Sequence, residues 1–246
     1  MIFTQQAESY ARIFSGMRPE RAEEVKALIG DSMAHDVLEI ACGPGTASLD
    51  LAAVSNHVTG VDLTPAMIQQ ARAAQAERGI ANADWIVGDG AALPFPDSSF
   101  SLVVCRSAFH HLVDPKLVLR EMVRVCRSGG RVAVSDVAPL PDKAAAYDAL
   151  ERMRDSSHVH AHPIEELRAL AETLPLTETT SISRHSGNVP LEYVLETSFP
   201  VGHSIDAVRR VFTDDIGVDR LGLNARIEQD KVLLDYPMAT IVWVRD

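Results

Sequence analysis

The stretch Val37-Leu38-Glu39-Ile40-Ala41-Cys42-Gly43-Pro44-Gly45-Thr46-Ala47 constrains the fold of this chain more than any other. Val37, Leu38 and Ile40 make an apolar run too short for a helix, the pattern of a parallel strand covered on both faces. Gly43 and Gly45 permit a tight turn and let a ligand reach the backbone with no Cβ in the way. Thr46 is placed to cap the helix that follows, whose first N–H groups need partners. Glu39 sets a carboxylate inside an apolar strand, which is costly unless something polar pairs with it.

The chemistry of the turn separates two ligand classes. A dinucleotide fingerprint has a third small residue three positions after its second glycine, and Ser48 stands there instead. An acid ahead of the glycines faces a pyrophosphate badly and an ammonium group well. Glu39 therefore favours S-adenosylmethionine (SAM), whose amino-acid end carries an ammonium.

With 246 residues the chain fits one large α/β domain, or one domain with a modest insertion. No run of about 18 apolar residues occurs, which excludes a membrane-spanning helix. Met1-Ile2-Phe3-Thr4-Gln5-Gln6 has neither a basic n-region nor an apolar h-region and is expected not to be a signal peptide. Cys42, Cys105 and Cys126 are odd in number and lie in apolar segments, as reduced thiols of a cytoplasmic protein would. The formal charge of −11 argues against nucleic acid and anionic membrane as partners, since both need a basic face. A small molecule is the expected substrate.

Strands and helices alternate along the first 140 residues. Pro19 opens a helix that Gly30 stops. Val58–Asp62 reads as a second strand, with Thr64-Pro65 opening a helix that runs to Gly79. Trp85–Val87 and Phe100–Cys105 read as the third and fourth strands. Asp114-Pro115 starts a helix expected to end near Gly129-Gly130, and Arg131–Val137 is a fifth strand. This spacing predicts a parallel sheet with helices on both faces. Two helices, over 142–154 and 163–174, and a sixth strand over 177–183 follow. Residues 188–235 carry the weakest pattern and are expected to form an insertion of short helices, and Met238–Val244 is a final strand.

Two further acids fall at strand ends. Asp62 closes the second strand, where a carboxylate can accept hydrogen bonds from both ribose hydroxyls. Asp89 follows the third strand and can accept from an adenine amino group, or simply shape the Gly-Asp-Gly turn. Both acids and the glycine turn lie at carboxyl ends of successive strands, where open α/β sheets bind ligands. His158, His160 and His162 alternate and would share one face of an extended segment. No acid or cysteine completes a metal site in that reading, so no metal is expected and solvation, or capping by His162 before Pro163, is preferred.

These stretches resemble the class I SAM-dependent methyltransferases, within them the small-molecule group that includes the ubiquinone and menaquinone C-methyltransferases. The likeness rests on Val37–Leu51, Val58–Ala73, Gly88–Asp97 with its Leu-Pro-Phe-Pro-Asp loop, Phe100–His111 and Glu121–Asp136, about half of the chain. It implies a Rossmann-like three-layer sandwich with a seven-stranded sheet, the last strand antiparallel, plus a helical cap insertion. The implied division is a lid and helix over 1–30, a SAM-binding core over 31–187, a substrate cap over 188–235 and a closing core strand over 236–246.

The resemblance also implies roles. Glu39 would meet the methionine amino group, Gly43 and Gly45 the amino-acid and ribose part, and Asp62 the ribose. Leu63 and Met67 would flank the adenine, Asp89 and the backbone of Gly90 would read its edge, and Arg106 would add a backbone contact. The Phe3, Gln6 and Tyr10 segment resembles the lid that closes over the sulfonium, which brings Tyr10 to the cofactor. Ala41 stands where the family pattern usually has glycine and is expected to need only ordinary β dihedrals. The acceptor would sit beyond the fourth strand, where His111 and His158 are the candidate catalytic residues. A SAM-binding protein of other chemistry and an NAD(P)-dependent oxidoreductase are the rival readings. Glu39 and the missing third glycine speak against the second.

Overall fold

The computed structural model describes residues 19–30 and 35–246. Helix α1 (Pro19–Ile29) precedes strand β1 (Asp36–Ile40), and α2 (Thr46–Ala52), β2 (His57–Asp62), α3 (Pro65–Arg78) and β3 (Ala83–Val87) follow. Strand β4 (Phe100–Arg106) leads through a 3-10 turn (Phe109–His111) to α4 (Pro115–Val125) and β5 (Cys126–Val137). Helices α5 (Ala144–Arg154) and α6 (Ile164–Ala171) then lead to β6 (Leu176–His185). The remainder comprises β7 (Val189–Pro190), α7 (Leu191–Glu196), α8 (Ile205–Thr213), β8 (Arg226–Glu228), β9 (Lys231–Leu234) and β10 (Pro237–Arg245).

Seven of these strands form one sheet in the order β3-β2-β1-β4-β5-β10-β6. The pairs among β1 to β5 are parallel, and β10 runs antiparallel to both β5 and β6. The last strand is therefore the antiparallel one, as expected. Strand order reverses between β1 and β4, which opens a crevice at their carboxyl ends.

Alternation along the central strands fills both faces. Leu38, Ile40, Val103 and Cys105 pack with Val118, Leu119 and Met122 of α4 and Leu167 of α6. Val37, Leu102 and Val104 pack on the other face with Leu28 and Ile29 of α1 and Leu51 of α2. Each such aliphatic side chain contributes roughly 1.5–3 kcal/mol on burial, and this anchoring holds the strand ends rigid beneath the crevice. Cys42, Cys105 and Cys126 are free thiols within this packing, and burial pushes all three upward in pKa, away from the reactive thiolate.

Local chemistry accounts for most element ends and corrects some. Asp114 caps α4 by accepting from Leu117 N at 2.9 Å, with Pro115 at the first helical position. That helix stops at Val125, short of the expected glycine pair, because Cys126 already pairs with Phe100 in the sheet. Gly130 serves the register shift that follows, since a Cβ there would lie 3.0 Å from the Ser101 carbonyl oxygen. Thr46 is not a cap but the first helical residue of α2. Gly45 holds the cap position at φ 76°, which a glycine adopts without strain.

Residues 188–235 depart furthest from expectation. They hold two helices, but also a three-stranded antiparallel sheet in the order β7-β9-β8. The β8–β9 hairpin turns on Gln229 and Asp230, both at positive φ (50° and 61°). Such a turn is usually announced by Asn-Gly or Asp-Gly, so Gln-Asp left no signal, and strands this short show no readable alternation. Leu191, Val194, Val208 and Phe212 of this segment share a core with Tyr147 and Leu150 of α5. Among the described residues no helix is long and apolar enough to cross a membrane.

Candidate functional site

The glycine turn is held by the neighbouring strand. Asp62, at the end of β2, accepts from Gly43 N through Oδ2 at 2.9 Å and from Thr64 N through Oδ1 at 2.8 Å. Burial pushes its carboxyl above the ordinary value, and those two amides pull it back. Each oxygen keeps acceptor capacity beyond its amide. The Cβ of any residue replacing Gly45 would lie 2.5 Å from the Trp85 ring, so that glycine is a packing requirement. At Gly43 a Cβ would meet nothing within 4 Å, so the turn faces open space there.

Ala41 corrects an expectation. Its φ is 53°, in the left-handed region rather than the β region, because the chain must turn sharply from β1 into the glycine turn. An alanine pays for that conformation in Cβ sterics that a glycine would avoid.

Glu39 is buried and doubly paired. The Ser48 hydroxyl donates to its Oε2, and Arg106 Nε donates to its Oε1 at 3.2 Å. Ser48 thus uses the third-glycine position to satisfy the acid. Burial pushes the Glu39 carboxyl up, and the Arg106 charge works against that shift. Arg106 itself lies between Glu39 and the buried Glu24 of α1, whose Oε2 is 3.5 Å from Arg106 Nη1. Burial disfavours the guanidinium charge, but Glu24 and Glu39 outweigh it and hold the pKa above its usual value. Arg106 therefore enters the site by its side chain, while its backbone lies in the ladder opposite Ser135. Neither Glu24 nor this use of Arg106 was legible in the sequence, because the partners are far apart along it.

On the β2–β3 side, Leu63 is 60% exposed beside Asp62 and offers apolar surface, whereas Met67 is buried. Asp89 is exposed and accepts from Ala91 N through Oδ1 at 2.9 Å, shaping its turn. A Cβ at Gly90 would lie 2.6 Å from Ile40, so only glycine lets that turn settle against β1. Tyr10 and the rest of the expected lid lie outside the described residues.

Beyond β4 the structure brings three histidines together. His110 and His111 have ring centroids 4.0 Å apart, and His158 lies 5.6 Å from His110 and 6.4 Å from His111. His110 Nδ1 is 2.6 Å from Oδ1 of the buried Asp136, which also accepts from Val137 N, and Oδ2 accepts from His110 N. Burial works against both charges, yet each favours the other's ionised form. Asp136 is held below the ordinary carboxylate value and His110 above the ordinary imidazole value. The acid sits on β5 and the histidine just past β4, so adjacent strand ends make the pair. An acid inside the apolar run ending β5 was the available sequence signal, the same one Glu39 shows.

The two histidines singled out from the sequence are less suited to accept a proton. Burial and the neighbouring His110 charge push His111 down to about 3, and its Nδ1 meets Ser157 Oγ at 3.1 Å. His158 has no exposed side-chain surface, its Nε2 is 2.7 Å from Asp148 Oδ1, and burial lowers its pKa. Its Nδ1 is buried with no partner among the described residues. Both were expected to serve either as a base or as an orienting contact, and these shifts speak against the first role only.

A second correction concerns His160 and His162. An acid does complete their group: Glu166, in the first turn of α6, places Oε2 at 2.7 Å from His160 Nε2 and 3.3 Å from His162 Nδ1. The partner was not apparent because it enters from the helix beyond Pro163, outside the alternating run.

Residues 38–134 match the family model described as a methyltransferase domain. The chain is 30% identical over 194 residues to the uncharacterized methyltransferase YcgJ of Bacillus subtilis, covering 72% of this chain and 75% of that protein. It is 31% identical over 144 residues to a demethylmenaquinone methyltransferase of Listeria monocytogenes, covering 56% and 61%. The crystal structure of the Bacillus YcgJ protein superposes with a TM-score of 0.76 at 24% identity, covering 92% of this chain and 97% of that one.

Proposed function

The chain belongs to the class I SAM-dependent methyltransferases, and from that premise we propose that it methylates a small-molecule acceptor that must give up a proton, with His110 taking that proton. The observation that carries the reading is the His110–Asp136 pair at the end of β4, beside the crevice that opens between β1 and β4.

The residues present fit SAM. Gly43 faces open space, Asp62 keeps acceptor capacity for two ribose hydroxyls, and Glu39 keeps a lone pair on each oxygen for an ammonium. Arg106 Nη1 is ion-paired with Glu24 at 3.5 Å but hydrogen-bonded to no described residue, and we assign it to the amino-acid end of the ligand. Leu63 offers an apolar face to the adenine, and Asp89 with Gly90 its edge. Tyr10 belongs to the proposed lid.

Bound SAM supplies an electrophilic methyl group on a sulfonium, and the chain must align an acceptor with it and remove the acceptor's proton. Asp136 holds Nδ1 of His110, which fixes the tautomer and leaves Nε2 to accept. His111, its ring centroid 4.0 Å from that of His110, orients the acceptor, and His158, with no exposed side-chain surface, packs against the pair. We assign the segment 188–235 as the acceptor's cap; Phe199 N donates to Arg154 O at 2.8 Å, which ties that segment to the end of α5 just ahead of His158.

The test is a screen of hydroxylated, carbon-acid and amine acceptors read by S-adenosylhomocysteine formation. Turnover with a proton-releasing acceptor, lost in His110→Asn, is expected. SAM binding with no S-adenosylhomocysteine from any acceptor would overturn the reading in favour of a non-methylating role.

A further inference from the structure

We propose that His160, His162 and Glu166 form a binding site for a divalent transition-metal cation of the zinc class, distinct from the methyl-transfer site and independent of that reading. One ligand atom from each side chain lies within 4.8 Å of the other two. Ligands at about 2.0–2.1 Å from a tetrahedral cation stand about 3.3 Å apart. The 2.7 and 3.3 Å separations from Glu166 Oε2 to the two imidazole nitrogens need only a small side-chain adjustment to admit it.

The surroundings of His160 are those of a metal ligand rather than of a surface ion pair. With Nε2 facing Glu166, its Nδ1 lies 2.6 Å from Asp148 Oδ2. Asp148 is buried and anchored by Ala161 N at 2.9 Å and His158 Nε2 at 2.7 Å. A carboxylate fixing the far nitrogen of a histidine is the outer partner that metal-bound imidazoles use to set tautomer and ring direction. The two rings are 4.5 Å apart at 83°, so they do not stack. All three ligands come from seven consecutive residues, and Pro163 at φ −49° fixes the corner between the extended strap and α6.

The donor set also selects the cation. Two imidazoles and one carboxylate suit Zn²⁺, Co²⁺ or Ni²⁺, whereas Mg²⁺ and Ca²⁺ ask for oxygen ligands throughout. The Glu166 side chain is 52% exposed, which leaves room on the solvent side for water as a fourth ligand. The amides of Val159 and His160 donate to the His110 carbonyl at 2.9 and 3.1 Å. A cation joining the strap to α6 would therefore brace the turn that carries His110.

The experiment is titration of Zn²⁺ into the full chain after chelator treatment, followed by calorimetry and by metal analysis. One equivalent is expected, with binding weakened at least 10-fold in His162→Ala and in Glu166→Gln, and about 10–100-fold in Asp148→Asn. His185→Ala, outside the cluster, should bind as the unaltered chain does. Co²⁺ should give a visible absorption band that Glu166→Gln abolishes, and Mg²⁺ should not compete. Zn²⁺ should raise the unfolding temperature of the unaltered chain but not of Glu166→Gln, a half-exposed substitution that leaves the metal-free fold intact. Absence of stoichiometric Zn²⁺ uptake would overturn the proposal. So would uptake that neither His162→Ala nor Glu166→Gln changes.

Discussion

Asp62 Oδ2 accepts the amide hydrogen of Gly43 at 2.9 Å, so the carboxylate that ends the second strand also holds the turn that follows the first. Its other oxygen holds Thr64 N at the start of α3. One side chain thus ties together the loops that follow the first and second strands and still presents lone pairs to a ligand. A loss of function at Asp62 can therefore come from a slackened turn or from a missing ribose contact, and the two can be separated.

Asp62→Ala is expected to weaken SAM and S-adenosylhomocysteine binding by about 1.5–3 kcal/mol, roughly 10- to 150-fold, through lost charged hydrogen bonds. The measurement is calorimetry with S-adenosylhomocysteine and with an analogue lacking both ribose hydroxyls. The analogue should lose little further affinity to the substitution. Equal losses for both ligands would assign Asp62 to the turn alone.

The two glycines of the turn should fail differently. At Gly45 a Cβ meets the Trp85 ring at 2.5 Å and Ala71 at 2.8 Å, so Gly45→Ala should destabilise the fold by several kcal/mol or about 10 °C in melting. At Gly43 the Cβ meets only open space, so the fold loses about 1–2 kcal/mol from the positive φ while the ligand meets a methyl group. Thermal melting with and without SAM checks both. A Gly43→Ala variant that binds SAM normally would move the ligand away from this turn.

Ala41→Gly should stabilise the protein by about 0.5–1 kcal/mol, the relief of left-handed sterics less the added chain entropy of glycine, and raise melting by about 1–4 °C. A lower melting temperature would mean that the methyl group of Ala41, packed against the main core, is worth more than the strain.

The first parallel strands were legible because they are apolar runs set off by turn residues or acids: Gly43 and Gly45 after β1, Asp62 at the end of β2 and Gly88 after β3. What escaped was of three kinds. Ala41 carries no mark of its backbone conformation, since nothing in an alanine announces positive φ. Glu24 with Arg106, Asp136 with His110, and Glu166 with His160 are pairs whose partners come from different elements, and only the packed fold brings them together. The hairpin at Gln229 and Asp230 escaped for a third reason, a turn built without glycine.

Glu39→Gln keeps a side chain of the same shape beside Ser48 and leaves Arg106 its Glu24 partner. The fold should survive, and SAM should lose about 10-fold in affinity while adenosine, which lacks the ammonium, loses little. Calorimetry with the two ligands decides it. Equal losses would make Glu39 a structural partner of Arg106 and remove it from the cofactor site.

The base is the last question. His110 is the one histidine of the cluster that a buried carboxylate holds above its ordinary pKa, and a base of that kind is worth roughly 10²–10⁴-fold in rate. His110→Ala would leave Asp136 buried beside a cavity, so His110→Asn is the cleaner change, since its amide can still donate to Asp136. With a proton-releasing acceptor its kcat should fall by about that factor, with acceptor KM little changed, and added imidazole should restore part of the rate to His110→Ala. Asp136→Asn should also lower kcat, because an amide no longer selects the tautomer that leaves Nε2 free. His111→Ala should instead act mainly on acceptor KM, as a contact that orients, whereas His158→Ala should act on stability, since that ring is buried against Asp148. If His110→Asn turns over normally and His111→Ala removes the rate, the proton goes to that ring and the Asp136 pair is structural.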